Sequence, residues 1–148
     1  MPAPPARTPT RAAGPPQPAL RPIPLFAAGF RPFYLLASLM AVLWVPLWIG
    51  LYQGAGWVEP AFGPLLWHGH EMLYGFTAAV LVGFLYTAIP NWTGQPTPRG
   101  PALAGLVGLW LLGRLVMLGG GGLAPWLVAA VDVAFLPLAA LGMLPPLI

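Results

Sequence analysis

Trp67-His68-Gly69-His70-Glu71-Met72 stands at the mouth of a long apolar run, Leu73 to Pro90. A helix rises about 1.5 Å per residue and needs about 20 apolar residues to cross the hydrocarbon core of a bilayer. The run therefore reads as a membrane span that opens on two imidazoles and a carboxylate. Both histidines of the 148-residue chain and one of its three acidic residues fall in these six positions. Ionisable side chains are expensive at membrane depth and persist where they have a partner or a task. The cluster is the candidate working site, and the rest of the chain is read outward from it.

Composition sets the class. The chain is 58% hydrophobic with a mean hydropathy of +0.78, and 6% of its residues are charged. A soluble domain carries about 25% charged residues. Seven Trp and four Tyr suit a protein that crosses membrane–water interfaces. Six Arg raise the pI to about 10.0, but they are scattered and form no basic face of the kind phosphate contacts need, so nucleic acid is excluded as a partner. The absence of Cys excludes disulfides, iron–sulfur clusters and thiolate-bound zinc within the chain. No nucleophile–base constellation, phosphate loop or nucleotide motif is visible, so no reaction class is assigned. Redox chemistry at a bound metal stays open.

The expected fold is all-α: a polytopic membrane protein with four transmembrane helices behind a disordered Pro-rich tail. Residues 1–24, with nine Pro and interspersed Arg, cannot bury apolar surface and form the tail. Residues 25–148 form the membrane segment, with spans at about 33–52, 65–90, 101–118 and 123–144. Pro46 and Pro137 are expected kinks. Gly75, Ala79 and Gly83 form a small-residue stripe that admits a neighbouring helix, and Glu71 lies on the same stripe one turn earlier.

Arg7, Arg11, Arg21, Arg31 and Arg99 fall on the tail and the second loop, whereas the first loop holds only Glu59. The positive-inside rule then places the N-terminus in the cytoplasm. In this arrangement Glu71, Arg114 and Asp132 lie roughly 9, 6 and 13 Å below the outer ends of their spans, at 1.5 Å per residue. Charges at matching depth on three helices can neutralise one another, which predicts a pairing of Arg114 with Glu71, Asp132 or both. Such a set could hold helices together in a structural subunit, or could form the relay of a transporter or proton-conducting module.

His68 and His70 are two residues apart, about 200° around a regular helix. They can share one metal only if the helix start is unwound, which Gly69 permits; on a regular helix each meets a different neighbour. Met72 and Met117 are nearby thioethers. Imidazole with thioether is a soft set suited to copper(I) or haem iron. His68, His70 and Met72 are the candidate metal ligands, and a hydrogen-bonded interfacial histidine or a core-filling methionine is the plainer alternative for each.

Four strings resemble the NnrS family of bacterial membrane proteins: Pro24-Leu-Phe-Ala-Ala-Gly-Phe-Arg-Pro-Phe-Tyr34, Trp67-His-Gly-His-Glu-Met-Leu-Tyr-Gly-Phe76, Gly83-Phe-Leu-Tyr-Thr-Ala-Ile-Pro-Asn-Trp-Thr-Gly94 and Leu109-Trp-Leu-Leu-Gly-Arg-Leu115. The resemblance implies an inner-membrane protein that binds haem and copper and serves in nitric oxide metabolism or resistance to nitrosative stress. It points to His68, His70 and Glu71 as cofactor-site residues and to Arg114 as a buried motif residue. Members of the family have about twelve spans, so these four resemble its N-terminal third. Two histidines cannot supply separate bis-histidine haem and multi-histidine copper sites. Further ligands are expected from the remaining spans of a longer chain or from a second copy.

Overall fold

The computed structural model describes residues 23–148, so the expected disorder of the tail falls outside the described residues as far as residue 22. Ile23 and Pro24 are described, and a short 3-10 turn, Pro24–Ala27, begins at the second of them. Four helices follow: α1 Phe30–Tyr52, α2 Gly63–Thr93, α3 Pro101–Gly119 and α4 Pro125–Met143. No strand occurs among the described residues. All four helices are long and apolar enough to cross a membrane. The outward faces are apolar too: Leu35, Leu39, Val42 and Leu43 of α1 and Leu112 and Leu115 of α3 are exposed. In water such a surface would be costly; in lipid it is the expected exterior.

The helices alternate in direction, so one end of the bundle carries the starts of α1 and α3 and the other carries the loops 53–62 and 120–124. α1 packs mainly on α2, and α3 mainly on α4. The shared core is built from Phe33, Ala37 and Met40 of α1, Ala79, Val82 and Tyr86 of α2, Leu103, Val107 and Trp110 of α3, and Phe135 and Ala139 of α4. Glu71, Gly75, Ala79 and Gly83 are all buried. The small-residue stripe lets α1 lie close: a Cβ at Gly83 would stand 3.0 Å from that of Phe33.

α2 is not uniform. Gly63–His70 and Ala78–Thr93 are α-helical, and Glu71–Thr77 between them is π-helical. Two side chains add donors to carbonyls of this segment: Trp110 Nε1 donates to Gly75 O at 3.1 Å, and Thr77 Oγ1 donates to Met72 O at 2.8 Å. Pro46, Pro90 and Pro137 are carried inside the other helical stretches. Pro90 has no N–H for Tyr86 O, and the buried Thr97 hydroxyl donates to that carbonyl instead, at 2.6 Å.

Loop 53–62 is tied to the glycine turn at the α3–α4 connection. Ala61 N donates to Met117 O at 3.1 Å and Gly121 N to Glu59 O at 3.1 Å. This closes the bundle over the end nearest the motif. Beneath the loop, Leu51, Trp67, Met117 and Val128 form a second buried cluster.

Candidate functional site

The charges meet. Arg114 of α3 donates through Nη2 to Asp132 Oδ1 of α4, and its Nη1 lies 3.2 Å from Glu71 Oε1 of α2. The second contact has ion-pair distance but not hydrogen-bond alignment, so Nη1 and Oε1 satisfy each other only electrostatically. Glu71 is 0% exposed and Arg114 3%. At such burial two carboxylates need a cation against them, because an unpaired buried charge is strongly destabilising. Asp132 Oδ2 lies 2.9 Å from His70 Nε2, and His70 Nδ1 lies 3.6 Å from Glu71 Oε1. Trp44 of α1 completes the set by donating its indole N–H to Glu71 Oε2 at 2.9 Å. Every one of the four helices thus contributes to one polar knot in an apolar bundle.

Local structure aims these groups. His70 is the last α-helical residue of its stretch and Glu71 the first of the π segment. His70 is further fixed by stacking on Tyr74, with ring centroids 4.9 Å apart. Arg114 lies beside Trp110, its guanidinium carbon 5.7 Å from the ring centroid. Gly113 and Gly75 remove side chains where Asp132 and Arg114 approach.

The two imidazoles part company. The helix is regular through Gly69, so it does not unwind to bring them onto one centre. His68 stacks on Trp48 of α1 with centroids 4.1 Å apart and planes 14° from parallel. Met72 is half-buried and packs against the main core, and Met117 lies in the cluster around Trp67. The structure therefore does not gather His68, His70 and Met72. Among the described residues no group of three or more His, Cys, Asp and Glu side chains surrounds a possible metal position.

Haem and copper both need an imidazole nitrogen with a free lone pair. His70 fits less well: its Nε2 is taken by Asp132 at 2.9 Å, and its Nδ1, though without a hydrogen bond, lies 3.6 Å from the Glu71 carboxylate. His68 fits better. Its Nδ1 is buried with no hydrogen-bond partner, as are Nε1 of its neighbour Trp67 and Nε1 of its stacking partner Trp48. A buried polar atom without a partner is rare enough to need a reason. Of the residues named from the sequence, Glu71, Arg114 and Asp132 are brought together with His70, and His68 stands apart. Trp44 was missed, and the charge-free span around it carries no signal that would single it out.

A four-helix membrane bundle with a buried ionic knot defines the class, polytopic helical membrane proteins. The particular family follows from comparison: the family model described as NnrS protein matches residues 24–148, and the chain belongs to that family. No curated protein and no solved structure matches the chain.

Proposed function

We propose that this chain serves as a haem- or copper-binding membrane protein of the bacterial inner membrane, acting in nitric oxide metabolism or resistance to nitrosative stress. Family membership supports the reading. The single structural observation behind it is His68, whose buried Nδ1 has no hydrogen-bond partner, whereas His70, Glu71, Arg114 and Asp132 meet one another at ion-pair distance. His68 would hold the group, and a bound haem or copper would supply electron transfer or ligation of a small molecule. Remaining ligands would come from a second copy or from further spans. His70, Glu71, Arg114 and Asp132 then fix the helix that carries His68. Arg31 and Arg99 at one end support an orientation with that end in the cytoplasm.

A second reading has its own support, because the ionic knot joins all four helices. In that reading the charges only clamp a structural or proton-conducting bundle and the protein carries no cofactor.

Visible absorbance and copper content of the purified full-length protein separate the two. The cofactor reading expects a strong haem band or stoichiometric copper, lost in His68→Ala and largely kept in His68→Met if copper is bound. A colourless, copper-free protein would sink it, as would cofactor content unchanged in His68→Ala.

A further inference from the structure

We propose that the end of the bundle formed by the starts of α1 and α3 is a docking surface for the headgroups of anionic phospholipids, held by Arg31 and Arg99. Both guanidiniums are exposed, and both flank the turn Pro24–Ala27. Arg31 Nη1 donates to Pro24 O at 2.8 Å, which fixes that exposed side chain against the turn. Gly100 N, next to Arg99, donates to Phe26 O of the same turn at 2.9 Å. The turn thus brings together two cations that are 68 positions apart in the sequence. Arg99 has no ion-pair or hydrogen-bond partner among the described residues.

The side-chain charge at this end has one sign. Glu59 lies in the loop at the opposite end, and Glu71 and Asp132 lie in the half of the bundle nearer to that loop. No acidic side chain stands near Arg31 or Arg99 to compete with a phosphate. Arg presents several donors in a planar fork suited to phosphate oxygens. Exposed aromatics on the helix ends at this side, Phe30, Tyr34 and Trp92, are what the headgroup level of a bilayer favours. Phosphate diester at that depth, with acyl chains running down the apolar flank of α1, matches donors, aromatic rim and apolar wall together. A free phosphate would use only the donors.

Each basic residue near a membrane surface strengthens binding to anionic lipid by about fivefold. The test is native mass spectrometry of the full chain in mild detergent, given equal amounts of phosphatidylglycerol and phosphatidylcholine of matched acyl chains. The wild type should retain phosphatidylglycerol preferentially. Arg99→Gln should lower the preference by about fivefold, and the Arg31→Gln/Arg99→Gln double variant should abolish it. Arg31→Lys/Arg99→Lys should keep most of it, which guards against loss through misfolding. Glu59→Gln at the far end should change nothing. Equal retention of the two lipids would overturn the proposal, and so would a preference that survives the double Gln variant. Loss of the preference in an Arg7→Gln/Arg11→Gln/Arg21→Gln variant with Arg31 and Arg99 intact would move the surface to the tail. Displacement by inorganic phosphate with the lipid preference gone would leave a free-phosphate site, not a lipid surface.

Discussion

The indole N–H of Trp44 donates to Glu71 Oε2 at 2.9 Å, and by that bond α1 joins the ionic knot of the other three helices. Glu71 is completely buried, so each oxygen needs a donor. Arg114 faces Oε1, and Trp44 is the donor for Oε2. Trp44→Phe keeps most of the ring and removes the donor. It should destabilise the bundle by about 1–3 kcal/mol, the usual consequence of leaving a buried acceptor unsatisfied. Trp92→Phe, at a solvent- or headgroup-facing ring, should stay within about 0.5 kcal/mol. Unfolding by SDS in mixed micelles measures both. Equal effects would mean that the Trp44 bond contributes nothing.

Arg114 faces two carboxylates, whereas each carboxylate has a second donor or cation. The asymmetry predicts a ranking. Arg114→Leu leaves Glu71 and Asp132 buried against each other's charge and should cost about 3–5 kcal/mol. Asp132→Asn leaves Arg114 with Glu71 and should cost less. The Arg114→Leu/Asp132→Asn double variant should recover part of the loss, with a coupling energy of about 0.5–3 kcal/mol. Additive single effects in the same micelle assay would show that the two residues do not act as a pair.

The parts of this arrangement were not equally legible in the sequence. The four helices follow from apolar runs of spanning length, and depth counting places Glu71, Arg114 and Asp132 in one half of the bundle. Two features lie beyond such counting. The π segment Glu71–Thr77 changes the angular step within a run that is apolar on every side, so no polar periodicity reports it. Trp44 is a tryptophan among apolar neighbours in a charge-free span, and only the packing of α1 on α2 shows that its N–H meets a carboxylate. The histidines fall between these cases. Their 200° separation gives two neighbours on a regular helix, but which neighbour each meets depends on where α1 and α4 stand.

Thr97 offers a test of how the chain compensates for Pro90. Its hydroxyl donates to Tyr86 O, the carbonyl that a proline four residues later cannot serve. Thr97 is buried, and Tyr86 in turn donates its own hydroxyl to Ala139 O at 2.9 Å, linking α2 to α4. Thr97→Val is nearly isosteric and strips the donor. A loss of about 1–3 kcal/mol is expected. In a Pro90→Ala background the helix supplies its own N–H to Tyr86 O, so Thr97→Val should then lose most of its effect. A cost that is unchanged by Pro90→Ala would place the role of Thr97 elsewhere.

Gly69 and Gly75 lie six residues apart on α2 and should respond in opposite ways to the same added methyl group. A Cβ at Gly69 meets nothing within 4 Å. The helix is regular there, so no special backbone freedom is used, and alanine is the better helix former by about 1 kcal/mol. Gly69→Ala should therefore be neutral or slightly stabilising. A Cβ at Gly75 would stand 2.8 Å from Arg114 Nη1 and 3.0 Å from Glu71 Oε2, and would press on the Met40 methyl group. Met40 can move at little cost. Arg114 and Glu71 cannot, because shifting either one loosens the pairing that neutralises it. Gly75→Ala should then cost about 1–3 kcal/mol, the range for overpacking a filled core. It should cost much less in an Arg114→Leu background, where the guanidinium is gone. Thermal or SDS unfolding of the two single variants and the combined one decides the matter. A neutral Gly75→Ala, or a Gly69→Ala that disrupts the bundle, would show that the α2 register differs from the one that brings Glu71 to Arg114.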